Sequence, residues 1–285
     1  MPENYQIKPL YSTGLADYHC HPNYSVDAVG TIDEYCEAAR SRNLVEICFT
    51  THFDTNPDSI GDEDNVIVVR GEKLPATVDN LAVYVEDVRW AHDKYYPLGL
   101  SVKLGVEVGW YPGCEKIVTA LKERYDFDHV LCGIHELNNV CFCCRNRYEK
   151  CFAGFDSMAA MLEAYFREVA AAARTGLFDC IAHFDYYKKY GEKHYGAEIN
   201  SGWEPYAEDI FAVLKRSETA LEVNTAGLRK GNNDYYPAIK IVNAARKAGV
   251  TVAFLGSDAH APNEIGYDFD AASALVPPDI CLNED

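Results

Sequence analysis

The sequence predicts an α/β barrel built from seven strand–helix units in one domain covering residues 1–285. Three observations lead there: short apolar runs recur along the whole chain, stretches of helical length separate them, and histidines stand immediately after several of the runs. The runs are 14–20, 45–50, 102–108, 129–134, 178–182, 220–223 and 251–255. Each is rich in Val, Ile, Leu, Phe or Cys without clean polar alternation, the composition of strands buried on both faces of a parallel sheet. Helices are expected over 32–41, 76–95, 114–124, 157–175, 204–216 and 237–248, with Gly176 and Gly249 as stops. Repeated strand–helix alternation over seven units favours a closed barrel over an open sheet. No glycine-rich nucleotide motif, linker or internal repeat interrupts the pattern. The acidic, polar stretch 54–75 is expected to be a loop over one end of the barrel.

Composition narrows the function classes. With 285 residues and 48% hydrophobic content the chain can bury one sizeable core. A net charge of -18 argues against nucleic acid as a partner, since phosphate backbones are gripped through clustered Lys and Arg. A small anionic substrate is compatible with that charge if bound divalent cations supply the local attraction. Residues 1–10 lack a basic segment followed by an apolar one, and no run reaches transmembrane length, so neither a secretory signal nor a membrane partner is expected. The eleven cysteines are odd in number and irregularly spaced, which reads as reduced thiols in the cytoplasm. Cys20, Cys48, Cys132 and Cys180 sit inside apolar runs and are expected to be packing residues.

The histidines carry the chemical argument. In a β/α barrel, residues just past each strand converge at the C-terminal mouth. Here the strand exits deliver His19 and His21, then His52, Glu107, His135, His183, and finally Asp258 with His260. His-x-His on an extended segment points both rings to one side, because strand side chains repeat every two residues, and Asp258-x-His260 is read as the same device. Any one of these histidines alone is more simply a hydrogen-bonded or exposed side chain; six together at the mouth point to metal. Imidazole with carboxylate suits Zn, Fe or Mn, and open coordination positions are expected. The ligands outnumber what one or two ions need, so three divalent ions with Glu107 bridging a pair are expected. His92 in a helix, His194 in a loop and His129 ahead of its strand are read as structural.

The order Asp17-Tyr-His-Cys-His21 with Ser25 and Asp27, then Thr51-His52, Gly105-Val-Glu107, Gly133-Ile-His135, Ala182-His-Phe-Asp185 and Gly256-Ser-Asp-Ala-His260, resembles the PHP (polymerase and histidinol phosphatase) superfamily over residues 15–262. Asn224-Thr-Ala-Gly-Leu-Arg229 before Tyr236-Pro237, and His183-Phe-Asp with Lys188 and Lys189, resemble its histidinol-phosphate phosphatase branch. The resemblance implies a distorted seven-unit, TIM-like barrel and a trinuclear cluster. The first ion would take His19, His21, Glu107 and Asp258; the second Glu107, His135 and His183; the third Asp27, His52 and His260. Asp27 stands where several relatives have histidine, a hard ligand that can change metal preference.

The expected reaction is hydrolysis of L-histidinol phosphate to L-histidinol and phosphate in histidine biosynthesis, by in-line attack of a hydroxide bridging two ions. Arg229 is the candidate for meeting charge on the phosphoryl oxygens, with Lys188 and Asn224 as further substrate contacts and Lys189 adding attraction. The leaving group would take its proton from Asp185, His260 or water. The segment Cys141-Phe-Cys-Cys144, with Arg145, Arg147 and Cys151, departs from the family pattern and is expected near the mouth as a substrate-shaping loop; a second zinc site lacks a partner Cys pair. Glu136, Asp54 and Asp185 are available to a cationic leaving group. The alternatives are another small phosphate ester or nucleotide as substrate, or, in a different class, metal storage or sensing. A polymerase-associated proofreading role is disfavoured by the charge and by the absence of a polymerase region.

Overall fold

The structure is a computed structural model and describes residues 14–60 and 65–276. The reading of residues 1–10 therefore lies outside the described residues. Seven parallel strands follow one another around a nearly closed barrel: β1 (Ala16–Cys20), β2 (Glu46–Phe49), β3 (Ser101–Gly109), β4 (His129–Gly133), β5 (Cys180–Ile181), β6 (Ala220–Asn224) and β7 (Val252–Gly256). Closure between β7 and β1 is made just past their ends, where Cys20 bridges Ala259 and the His21 N–H donates to the Ala259 carbonyl at 2.8 Å. Spatial order equals chain order, as expected for a sheet made of consecutive right-handed crossovers.

Helices cover the outside: α1 (Ile32–Ser41), α2 (Ala82–Tyr95), α3 (Glu115–Arg124), α4 (Met158–Arg174), α5 (Ala207–Ser217) and α6 (Ile239–Ala248). The sequence places all six, with 76–81 the largest overreach. Their starts and stops are local chemistry. Thr31 and Glu34 form a reciprocal capping box on α1, Ser157 caps α4, and Gly249 ends α6 in the left-handed conformation that costs glycine least. Between strands and helices runs one continuous apolar core. The barrel interior below the mouth is filled by Tyr18, His129 and Phe254, whose rings meet at 4.4 to 5.3 Å.

Two sequence readings need correction. The stretch 54–75 is not simply a loop, because Val66–Val69 and Glu72–Pro75 pair as an antiparallel hairpin, and the Val68 N–H donates to Tyr24. Four successive residues, Val-Ile-Val-Val, are the β-forming signal that the surrounding acidic residues obscured. His194 lies in a short helix, Lys188–Tyr195, rather than in a loop. No helix among the described residues is long and apolar enough to cross a membrane.

Candidate metal centre

The register of the barrel explains why distant residues meet. After β2 the chain steps across Thr50 and Thr51 and resumes at His52–Phe53, which pairs with the far half of β3 so that His52 lies directly opposite Glu107. On the other side Glu107 faces Leu131, two residues before Gly133. The Glu107 carboxylate is fully buried and is the hub of the site. Its Oε2 is 3.3 Å from His19 Nε2, 3.4 Å from His21 Nε2 and 3.0 Å from His52 Nδ1. Its Oε1 is 3.2 Å from His135 Nε2 and 2.9 Å from His183 Nε2. Each oxygen serves a separate set of rings.

Carboxylates close the ends of this array. Asp258 Oδ1 lies 3.9 Å from His19 Nε2 and 3.5 Å from His21 Nε2. The exposed Asp27 reaches His52 Nε2 at 3.9 Å and His260 Nε2 at 3.3 Å. All nine side chains singled out in the sequence as ligands thus converge on one place. The Asp258-x-His260 pair does so by a different device from His19-x-His21: Asp258 has φ +51°, so the chain turns, Asp258 faces His19 and His21, and His260 faces Asp27.

The donor atoms fit divalent metal. His19 Nε2, His21 Nε2, His52 Nδ1 and Glu107 Oε2 are buried and make no hydrogen bond, an arrangement that costs a protein several kcal/mol unless a cation occupies the space between them. Burial disfavours charge on every one of these groups, yet the neighbouring carboxylates outweigh it at His19, held well above its ordinary value by Glu222 and Glu107, and at His52, pushed up to about 9. His21 goes the other way: burial, then His52 and His260, press it well below the usual imidazole range. Glu107 is held well below the carboxylate range by His19, His52 and His135 against the opposing effect of burial. Neighbouring rings pushed in opposite directions around one ionised carboxylate describe a centre in which protons stand in for metal charge.

A supporting layer that sequence reasoning missed holds the ligands in place. Glu222, 1% exposed on β6, lies 3.0 and 3.1 Å from His19 Nδ1 and also accepts the His183 N–H at 2.7 Å and the Asn224 amide at 2.9 Å. Accepting the Nδ1 proton leaves the His19 Nε2 lone pair aimed at the centre. The available signal was a glutamate in the middle of an otherwise apolar strand, Ala-Leu-Glu-Val-Asn. Asp54 does the same for His135 at 3.4 Å, and Asp17 accepts the backbone N–H groups of Ser257 and Gly266. Close packing fixes two glycines: a Cβ on Gly133 would lie 2.4 Å from His135 Nε2 and 2.6 Å from Glu107 Oε1, and one on Gly256 2.3 Å from Glu222 Oε2.

The PHP domain family model matches residues 17–226, which contain all but the first residue of β1, the whole of β2 through β6 and seven of the nine converging side chains. The chain belongs to the PHP domain family. This PHP chain is 33% identical over 264 residues to a probable histidinol-phosphatase of Deinococcus radiodurans, covering 90% of each, and 28% identical to one of Clostridium acetobutylicum, covering 91% of this chain and 92% of the relative. Its fold is similar to that of the histidinol phosphate phosphatase of Lactococcus lactis solved with zinc, L-histidinol and phosphate, at a TM-score of 0.70 and 19% identity over 92% of each chain.

In this PHP barrel a cavity of about 310 Å³ opens onto the centre, walled by His52, His135, His183, Asp258 and His260 together with Asp27, Asp54, Asn56, Glu136, Tyr186, Lys189 and Lys230. Several residues expected to touch substrate lie behind this wall. The Arg229 guanidinium donates to the carbonyls of Ser257 and Asp258, at 2.5 and 2.8 Å, and lies 3.4 Å from Glu264. Lys188 pairs with Asp185 at 2.8 Å and donates to the Tyr235 carbonyl, while Asp185 also accepts the Ala238 N–H. Asn224 is buried against Glu222 and the Ala226 N–H. The cations that do face the cavity are Lys189 and Lys230, the latter 3.7 Å from Asp258 Oδ2. Lys189 is the residue expected to add attraction, and Lys230 directly follows Arg229 at the end of the short helix Ala226–Arg229. Cys141 and Cys144 are joined by a disulfide bond, so the reading of every cysteine as a reduced thiol does not hold there.

Proposed function

We propose that this chain hydrolyses L-histidinol phosphate to L-histidinol and phosphate, and that its centre holds three divalent ions drawn from Zn, Fe and Mn. The observation that carries the reading is Glu107, one buried carboxylate placed between two groups of imidazoles at the floor of a cavity whose wall offers two lysines. The ions would be held by His19, His21, Glu107 and Asp258; by Glu107, His135 and His183; and by Asp27, His52 and His260. Bound there, they would supply Lewis acidity to the phosphoryl oxygens and lower the pKa of water.

The chain's own groups do the rest. Lys189 and Lys230 draw the phosphate into an otherwise acidic protein and balance the charge that gathers on its oxygens. Arg229, with both ends of its guanidinium engaged, acts at one remove: it holds the Ser257–Asp258 backbone and so aims the Asp258 carboxylate. Glu222 and Asp54 keep His19 and His135 in the tautomer that presents Nε2 inward. Asp185 is tied to Lys188 and His260 belongs to the ligand set, so water entering the cavity supplies the leaving oxygen's proton. Glu136 and Asp54 give the wall the negative charge that suits a cationic leaving group. The cytoplasm is the compartment where such a biosynthetic step fits.

Steady-state phosphate release from L-histidinol phosphate, sugar phosphates, nucleotides and an aryl phosphate, with Mn, Fe or Zn resupplied, tests the reading. A kcat/KM preference of about 100-fold, or about 2.7 kcal/mol in transition-state binding, is expected for L-histidinol phosphate. Aryl phosphate turnover without that preference would leave a phosphoesterase for another small phosphate. No turnover in the metal-loaded protein would leave metal storage or sensing.

A further inference from the structure

The cysteine segment is a part of the cavity wall that lies outside the proposed ligand set. Cys141 Sγ is bonded to Cys144 Sγ, and the Cys143 Sγ lies 3.3 Å from the Cys141 sulfur, so that all three sulfurs fall within 4.8 Å of one another. Cys143 and Cys144 are half-buried and border the cavity, as does His135. Every other cysteine among the described residues is buried. Among the described cysteines, a thiol in solution therefore reaches this trio first.

We propose that Cys141, Cys143 and Cys144 form a reversible thiol–disulfide modification site in the wall of the substrate cavity, whose partners are small thiols and their disulfides. A disulfide in a cytoplasmic protein, the location proposed above, is characteristically transient rather than structural. The bond closes a segment that is tied back to a proposed ligand. His135 leads into a hairpin, Glu136–Leu137 paired with Val140–Cys141; the Phe142 N–H donates to the His135 carbonyl at 3.1 Å; and the Cys144 carbonyl accepts from Tyr148 at the start of the helix Tyr148–Phe152. Opening the bond moves two sulfurs from a covalent separation of about 2.05 Å to a non-bonded one of about 3.5–4 Å. The wall beside His135 must absorb that change, and substrate entry is read out there.

The chemistry balances. A small thiolate attacks the Cys144 sulfur, the S–S bond breaks and Cys141 leaves as thiolate, giving a mixed disulfide on Cys144. A second small thiolate attacks the mixed disulfide and releases Cys144 as thiolate with one molecule of the small disulfide. The protons lost by the two small thiols end on Cys141 and Cys144, so the protein disulfide is reduced and two small thiols are oxidised. Within the trio, the Cys143 thiolate can attack Cys141 and displace Cys144, which moves the bond without any outside electrons.

The test uses metal-loaded protein equilibrated in glutathione redox buffers, then alkylated and peptide-mapped, with aryl phosphate and L-histidinol phosphate kinetics measured on the same samples. Expected are conversion of linked to free Cys141 and Cys144 across one potential range, a glutathione adduct on Cys144 at its midpoint, and a change of threefold or more in KM that follows the conversion. Cys141→Ser, which removes the sulfur common to both bonds, should lack the link and hold one KM at every potential, while Cys143→Ser should keep both end states and lose only the 141–143 isomer. Peptides that remain unlinked at all potentials, or a KM that ignores the conversion, would overturn the proposal. So would reduced cysteines that resist alkylation only when added zinc is present, since the trio would then be a metal site. The thiol map needs no turnover, so a wrong substrate assignment does not imitate either failure.

Discussion

Replacing Glu222 by Gln tests whether a residue that touches no substrate decides which His19 nitrogen faces the centre. The glutamate presents two acceptor oxygens, both near His19 Nδ1, and Oε1 also takes the His183 N–H and the Asn224 amide. Glutamine keeps the shape but has one acceptor and one donor. With its oxygen toward His183, its amide faces His19 Nδ1 and favours the tautomer with the proton on Nε2, which removes the inward lone pair. With the amide reversed, two donors meet at His183 and Asn224. Either way one charge-assisted hydrogen bond is lost, an effect of about 1.5–3 kcal/mol, in line with the 10–100-fold losses of metal affinity typical of such supporting residues. Metal affinity is measured by competition with a graded series of chelators and elemental analysis, and the metal-free proteins are compared by circular dichroism. Affinity within twofold of wild type in a folded Glu222→Gln protein would refute the tautomer argument.

Four further outcomes follow from the same geometry. Gly133→Ala pushes a methyl into His135 and Glu107; a displacement of about 1 Å at a reacting centre costs about 100-fold in rate, so kcat/KM should fall by that order while thermal stability changes little. Lys230→Ala and Lys189→Ala should each weaken inhibition by inorganic phosphate at least fivefold without lowering the melting temperature. Arg229→Ala should do the reverse, destabilising the fold by about 3 kcal/mol or more through two lost charge-assisted hydrogen bonds, and a loss of phosphate affinity without loss of stability would return Arg229 to direct contact. His129 is buried among rings and pressed down to about 4 by desolvation. The unfolded chain therefore takes up its proton first, near pH 6.5, and the stability that the neutral ring contributes is present above that pH and lost on going down toward 4, about 3 kcal/mol in all. His129→Phe should flatten the denaturation free energy across that window, and an unchanged slope would show that His129 is not what acid attacks.

Much of this site can be read from sequence because a barrel turns a one-dimensional regularity into a three-dimensional one. Residues at and just past the strand ends meet at a single mouth whatever their separation along the chain, so His19, inside the end of β1, and His52, His135 and His183 could be grouped without knowing a single distance. The supporting layer was harder, since Glu222 and Asp17 lie inside strands and the direction of a buried side chain depends on barrel register. That register shifts between Asp17 and Cys20 in β1 and again between Leu221 and Glu222 in β6. A shift of one residue carries a side chain from the wall to the interior.

The cations divide between wall and interior for a related reason that also bears on mechanism. Both pairs stand at the ends of short helices, Lys188–Tyr195 and Ala226–Arg229, where neighbouring residues are turned about 100° apart and strand alternation does not tell which of the two faces inward. Lys188 and Lys189 both follow His183, yet Lys188 turns to Asp185 and only Lys189 borders the cavity. Arg229 and Lys230 divide in the same way. In each pair the inner residue is locked by a buried hydrogen-bond network and the outer one borders the cavity on lighter ties, Lys189 to the Tyr186 hydroxyl at 2.9 Å and Lys230 at 3.7 Å from Asp258. A guanidinium makes several directed bonds at once and suits the locked position, whereas an ammonium on a flexible stem adapts to a phosphate that must enter and leave. Exchanging the members of a pair, as in Arg229→Lys with Lys230→Arg, should therefore harm both stability and phosphate binding, although the composition and net charge of the wall are unchanged.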